Sequence, residues 1–526
     1  MSGSDDAVNP ADYPLIDILR FLLASLNIEA ILQESTIHRR RERLNSMTDG
    51  SGLGDAYCAT IERIKAQGGD KSRLGMEALM WISHAERPLK ADELCHALAI
   101  ELGSKDFNTA NAPSMSTLVS CCQGLIVVEK EASTVRLIHF TLEEYLSTHS
   151  DLFNRPHPEM AEICLTYLNS ALVRTISADP FPGIRGTPFL EYCSLHWGAH
   201  AKIDLSGRAR SLAMQLFREY DGHISAKYLL AEYFLQDLED FDANYGPSLS
   251  FSGLHCASFF GIVDLVAALI ETKCFDIGEG GFWGYTPLAW AACKGHEEVV
   301  KIMLECENVN PDWPNNFGET PLLHAAWGGY EEVVKILLKK GVNPDGQDDV
   351  GETPLMHAAA AGNEEVVKIL LMEAGVNPGR SCDYGQTPLA CAAEFGRDGV
   401  VRMLLAREEV NPGQPDEWGR TPLLMAAMSG HEGVVKILLE CEEIDPDKPD
   451  NYGRTPLSCA AENGHEAVVN ILLGRQEVIS DKSSIDSKTP LSYAAEGGRE
   501  GVVKILLGPK EVNPDKPDNS SRTPLS

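Results

Sequence analysis

The tripeptide Thr-Pro-Leu recurs at Thr286, Thr320, Thr353, Thr387, Thr421, Thr455 and Thr489, and again at Thr523, with successive intervals of 34, 33, 34, 34, 34, 34 and 34 residues. A fixed period of this length over more than half of a chain means stacked copies of one small unit, each too thin to bury its own apolar face. Neighbouring copies must therefore supply the core for one another.

The spelling of a single unit shows what that unit is. In Asp450-Asn451-Tyr452-Gly453-Arg454-Thr455-Pro456-Leu457 the Asp/Asn/Gly cluster predicts a turn, Thr455 a helix cap, and Pro456 the first helical position, where no amide donor is needed. Ala460 and Ala461 let two helices lie close together, and Gly464 suits the left-handed residue that ends the first helix. Val468, Val469, Ile471, Leu472 and Leu473 then form the apolar face of a second helix. A turn and two helices at this period, with Thr-Pro-Leu, Ala-Ala, Gly-His and Val-Val, resemble the ankyrin repeat.

The resemblance covers about residues 249–526. Ser252-Gly253-Leu254-His255 keeps the pattern loosely one period before Thr286, giving about eight repeats and a truncated ninth that breaks off at Leu525-Ser526. With no following repeat, Ile505 and Leu506 of the last complete unit are expected to lack cover. Ankyrin repeats usually carry His directly after Thr-Pro-Leu, where it ties neighbouring turns together. Here that place is held by Ala289, Leu323, Met356, Ala390, Leu424, Ser458 and Ser492, and only His255 keeps it.

At 526 residues, 44% hydrophobic and 23% charged, the chain reads as globular. Its net charge of −32 is shared between the repeats, at about −20, and the remainder, at about −12. Nucleic acid and anionic membrane are therefore poor partners. The 14 cysteines have no framework spacing and no CxxC pair, which favours a reducing, cytoplasmic setting, with the nucleus also open. The first residues lack the basic start and apolar run of a signal peptide, and no 18-residue apolar stretch occurs.

Before the repeats, helices are predicted over Leu74–His84, Asp92–Leu102 and Ser116–Cys122, followed by the β-rich runs Gly124–Glu129 and Thr134–Ile138. Three helices and a hairpin are the order of a winged helix. Segments such as Ala78-Leu79-Met80-Trp81-Ile82, Ala85-Glu86-Arg87-Pro88-Leu89 and His139-Phe140-Thr141-Leu142-Glu143-Glu144-Tyr145-Leu146 are similar to the winged-helix module of fungal NACHT-ankyrin proteins, signal-transducing ATPases with numerous domains. Phe189-Leu190-Glu191-Tyr192-Cys193-Ser194-Leu195-His196-Trp197 resembles the helical connector of the same family. The expected architecture is mainly α. Remnant helices of a NACHT-type domain fill 1–51, a winged-helix-like domain 52–150, a helical connector 151–248, and an ankyrin solenoid 249–526.

The family's nucleotide chemistry does not carry over. A phosphate loop needs GxxxxGK followed by Ser or Thr, and Gly68-Gly69-Asp70-Lys71-Ser72 has Asp where Gly is required and follows no apolar strand. His296-Glu297, His431-Glu432 and His465-Glu466 open like HExxH, but the second histidine is replaced by Val300, Val435 or Val469, so they imply no metal. Gly278–Gly284 has Trp283 in place of a glycine needed by a dinucleotide loop and reads as a hairpin tip. The would-be recognition helix, Ser114–Ser120, has no Lys or Arg to read DNA. Arg39-Arg40-Arg41, flanked by Glu34 and Glu42, reads as a solvated helix face, and no GxSxG or Cys/His constellation is present. No catalytic residue and no cofactor is assigned.

What rises above scaffold is a set of aromatic rings. The residue before each turn glycine is Trp283, Phe317, Val350, Tyr384, Trp418 or Tyr452, while Trp327 and Phe395 stand at the end of first helices. The ankyrin resemblance implies that these positions project to the concave, partner-binding side, and aromatic anchors dominate interface energy. The candidate protein-binding residues are accordingly Phe317, Trp327, Tyr384, Phe395, Trp418 and Tyr452. The competing reading is that each ring packs on the next hairpin. The function expected is non-enzymatic protein–protein recognition as the sensor half of a signalling protein; the alternative is a regulatory subunit or remnant of an ATPase whose motor is missing.

Overall fold

The computed structural model describes Thr36, Arg39 and residues 52–104, 106–129, 131–176, 186–234, 250–508 and 512–524. The remnant helices expected over 1–51 lie outside the described residues. The chain divides into two compact units, Met1–Gly253 and Leu254–Ser526.

In the first unit, α1 (Gly52–Ala66), α2 (Gly69–His84), α3 (Ala91–Ala97) and α4 (Met115–Cys121) precede a hairpin of β1 (Ile126–Glu129) and β2 (Thr134–Leu137), and α5 (Phe140–Thr148) follows. The strands pair antiparallel with Ile126 opposite Leu137 and Glu129 opposite Thr134. The second predicted helix is shorter than expected: it ends at Ala97, and Leu98, Ala99 and Ile100 are buried in turns instead. The Arg87-Pro88-Leu89 link is an anchor. Buried Glu93 takes both guanidinium nitrogens of Arg87 at 2.8 Å each and the Lys90 amide at 2.8 Å, so the start of α3 is fixed by a bidentate charged pair.

Five connector helices follow among the described residues: α6 (Pro156–Leu168), α7 (Ala171–Arg174), α8 (Leu190–Ile203), α9 (Gly207–Leu216) and α10 (Ile224–Tyr233). The winged-helix part and the connector share a ring cluster. Trp81 of α2 meets Phe189 edge-on at 5.4 Å and Tyr192 at 5.9 Å, and Tyr167 of α6 meets Phe189 at 5.4 Å. Against it lies a set of buried imidazoles. His200 is hydrogen-bonded to His157 at 3.0 Å and to the Tyr192 hydroxyl at 2.9 Å. Burial disfavours the charged ring and pushes His200 down to about 3 and His196 and His223 to about 4, with His84 and His157 also lowered.

The second unit contains eight helix pairs among the described residues, from Gly253–Phe260 with Val263–Thr272 to Pro490–Glu496 with Glu500–Leu506. The Thr-Pro signal works as its chemistry predicts: Oγ1 of Thr286, Thr353, Thr421, Thr455 and Thr489 accepts from the amide three residues on, with proline at the first turn. Gly430 closes its first helix at φ 82°, and a Cβ there would lie 2.5 Å from the next repeat's His465 ring. Only glycine meets both demands.

The expectation for the last pair is corrected in part: Ile505 is only half-buried, but Leu506 is not left without cover. Leu506 and Val502 are fully covered, because Glu500–Leu506 turns them onto its own first helix and the preceding repeat. Only the opposite side of that helix, with Leu507, is exposed.

Two outcomes test this description. Leu438, with no exposed surface in the middle of the array, should cost about 2–5 kcal/mol on replacement by Ala, read in denaturant melts. The lowered imidazoles of the first unit bind protons only when it unfolds, so they stabilise the fold above the unfolded histidine value of about 6.5. That contribution should fall away as pH drops from there towards 4, and His200→Gln should flatten the loss in pH-dependent melts of the first unit's tryptophan signal.

Candidate ring-bearing interface

The hairpins stack through one backbone bond per repeat. The carbonyls of Trp283, Phe317, Val350, Tyr384, Trp418 and Tyr452 accept, respectively, from the amides of Asn316, Asp349, Asp383, Glu417, Asn451 and Ile485 at 2.8–3.0 Å. The ring-bearing residues before the turn glycines therefore lie on a single ladder. The backbone holds their register whatever the side chains do.

Each hairpin is also closed on itself. Asp416 Oδ1 accepts the amides of Trp418 and Arg420, and its Oδ2 takes the Arg420 guanidinium at 2.7 Å. Asp450 with Tyr452 and Arg454, and Asp518 with Ser520 and Arg522, repeat the device. In these three hairpins an Asp-to-Arg closure adds to the backbone ladder where the imidazole after Thr-Pro-Leu is missing; where it survives, His255 Nε2 lies 3.1 Å from the Glu279 carbonyl.

The candidate rings fall into two rows. Phe317, Tyr384, Trp418 and Tyr452 stand on the hairpins and are 44%, 46%, 39% and 58% exposed; Trp327 and Phe395, at the ends of first helices, are 55% and 50% exposed. Trp283 meets Phe317 at 5.2 Å and Tyr384 stacks on Trp418 at 5.8 Å. Val350 separates the two pairs, so the hairpin row is two ring pairs and Tyr452, not an unbroken aromatic strip. Arg420 lies over Trp418 at 4.6 Å and Arg454 over Tyr452 at 5.4 Å, so the arginine that closes the turn also braces the ring. Packing and exposure coexist on the hairpins: each hairpin ring has a neighbour and still offers a face to solvent. Trp313, 51% exposed after Asn310-Pro311-Asp312, belongs to the same class and was missed in the sequence because it sits four residues before the turn residue Phe317.

The Gly-His-Glu histidines are inter-repeat ties. His296, His431 and His465 reach the carbonyls of Phe259, Glu394 and Met428 in the preceding repeat at 2.9, 2.9 and 3.0 Å. Two other histidines escaped the sequence reading because they fall one residue later, in Thr-Pro-Leu-Xaa-His. His324 is pushed down to about 4 by burial, whereas Asp348 and Glu352 raise His357 to about 9 despite its burial. Their signal is the spacing Asp348-x3-Glu352-x4-His357. The exposed residues of α4 (Ser116, Thr117, Val119 and Ser120) include no cation, as its sequence requires.

These hairpins, capped helix pairs and ties define a class, the ankyrin-repeat proteins. Family models for ankyrin repeats match residues 254–348, 341–416, 399–483 and 486–519, and the chain carries ankyrin repeats through that span. A model described as the GPI inositol-deacylase winged helix domain matches residues 62–154, which agrees with the order of α2–α5 and the β1–β2 hairpin. No curated protein matches the chain. Among the described residues no helix is long and apolar enough to cross a membrane.

The closure is open to direct test. Asp450→Ala strips the acceptor from two amides and one guanidinium and should destabilise the array by about 1–3 kcal/mol in chemical melts. Asp450→Asn, which keeps an oxygen for the amides, should lose clearly less.

Proposed function

We propose that the chain is a non-enzymatic recognition scaffold in which the ankyrin array binds a protein partner along its hairpins and first-helix ends. The observation that carries this reading is the register of exposed rings: Phe317, Tyr384, Trp418 and Tyr452 on one backbone ladder, with Trp327 and Phe395 beside it. Half-exposed aromatics on a braced framework lose little side-chain freedom on binding, which is what an anchor residue needs. The acidic array around them suits a partner with basic and apolar groups.

The winged-helix domain before the repeats supports a finer reading. The chain would be the sensor half of a NACHT-ankyrin type signalling protein, cytoplasmic, with partner binding releasing a nucleotide-switched domain in longer relatives. The matched winged-helix family and the resemblance of residues 189–200 to the connector favour this over an isolated scaffold. As a regulatory part of an ATPase lacking its motor, the chain would keep the same surface and partner class.

Trp418→Ala and Tyr452→Ala should each weaken binding to a protein recovered with the full chain by ~2 kcal/mol, measured by calorimetry, and shift stability by less than ~1 kcal/mol. Unchanged affinity with a lowered melting midpoint would assign the rings to inter-repeat packing and move the binding surface elsewhere.

A further inference from the structure

The hairpins that open at Gly281, Asn315, Asp348, Cys382 and Ser484 lack the Asp-to-Arg closure, and that of Asp348 has an unusual composition. At the closing position the later repeats place Arg420, Arg454 and Arg522 against Asp416, Asp450 and Asp518. The hairpin of Asp348 has Glu352 there, so two carboxylates face each other with no guanidinium between them. His357, entering from the first helix, turns its Nε2 to both, 3.0 Å from Glu352 Oε2 and 3.8 Å from Asp348 Oδ2. That nitrogen is sealed from solvent and has no well-formed hydrogen bond.

We propose that Asp348, Glu352 and His357 are a binding site for zinc, with water in the fourth position. The three ligand atoms lie within 4.8 Å of one another. Zinc bound to nitrogen and oxygen at about 2.0–2.2 Å in a tetrahedron sets its ligands about 3.3–3.5 Å apart. The two separations at His357, 3.0 and 3.8 Å, straddle that value, and side-chain adjustment would bring the third ligand atom to the same spacing. Calcium, which takes six to eight oxygens, and magnesium, which demands octahedral oxygen ligation, fit a compact set with one imidazole poorly.

The surroundings hold the donors in place. Asp348 Oδ1 is occupied by the amides of Val350 and Glu352 at 3.0 and 2.8 Å, which leaves Oδ2 for the metal side. The Trp327 ring meets His357 edge-on at 5.5 Å and limits its rotation. The neighbouring repeats carry ligand-type residues at the same register. His324, with 9% of its side chain exposed, has an Nε2 that makes no hydrogen bond and lies 3.7 Å from Glu319, and Cys382 and Cys391 share one buried cluster in the repeat after. A divalent ion would displace the proton that the two carboxylates hold on His357 and take its place as the positive charge, which arginine supplies in three later hairpins, clipping the hairpin to its own first helix. The site touches the ring-bearing surface at Trp327 alone, and its ligands include none of the candidate rings.

The test uses the full chain, stripped with a chelator and titrated with zinc, followed by calorimetry and native mass spectrometry. One zinc should bind with a Kd of about 10 µM or tighter, and raise the melting midpoint. His357→Gln and Glu352→Arg should each weaken that binding at least ~10-fold. Glu352→Arg recreates the closure of three other hairpins, so it should fold and remain decisive if His357→Gln does not. His431→Gln, an inter-repeat tie, should leave zinc binding unchanged. Absence of binding, binding indifferent to both site variants, or a cobalt-substituted spectrum with thiolate charge-transfer bands would overturn the proposal.

Discussion

A helix pair of this array cannot hide its own apolar face, and everything else in the second unit follows from that constraint. Val434, Val435 and Leu438 have no exposed surface because the helices on either side cover them, as happens at Val468, Val469 and Leu472 one repeat later. Stacking then requires a fixed pitch, and the pitch is set by polar groups as much as by packing. Backbone bonds link adjacent hairpins, and side chains such as His465 cross to the carbonyls of the previous repeat. Burial supplies the driving force; the hydrogen bonds decide where each unit stops.

The hairpin edge has a different character from the packed middle. There each side chain serves two ends. Asp416 orders the turn and holds Arg420, and Arg420 in turn covers one face of Trp418. A ring braced in this way keeps its orientation while remaining half exposed. Rigid presentation of this kind lets a framework of short helices carry a recognition surface without long loops. The Asp348 hairpin departs from it, since two carboxylates and an imidazole meet where the guanidinium is absent.

The periodic parts were legible in the sequence for physical reasons. Thr-Pro-Leu states a cap and a first helical turn in adjacent residues, and the structure places each such threonine from Thr286 to Thr489 at the start of a helix. The winged-helix order was readable from three helical stretches followed by two β-rich runs, though the end of α3 was not. Leu98–Ile100 are as apolar as a helix face but pack as turns, a choice made by tertiary contacts and invisible to local pattern. The candidate rings were found because they precede turn glycines. Trp313 lacked that marker, and the Asp348–Glu352–His357 group was hidden because its members matter only through a fold that brings residues 348 and 357 together. The covering of Leu506 was likewise a matter of which way a helix faces, which spacing alone leaves open.

One set of long-range ties in the array has a backbone carbonyl as its acceptor, beside others, such as Arg380 to Asp345, that end on a side chain. Lys340, Arg407 and Arg475 reach the carbonyls of Leu304, Leu371 and Leu439, and Lys448, Lys482 and Lys516 reach those of Gly413, Asp447 and Asp481. A carbonyl is present whatever residue bears it. A unit carrying such a donor can thus dock on any predecessor with the right helix geometry, with no matching change required on the other side. Duplication, loss or shuffling of a unit by recombination leaves these junctions intact. Where the joints are of this kind, the number and order of rings on the edge can change without a matching change in the neighbouring repeat.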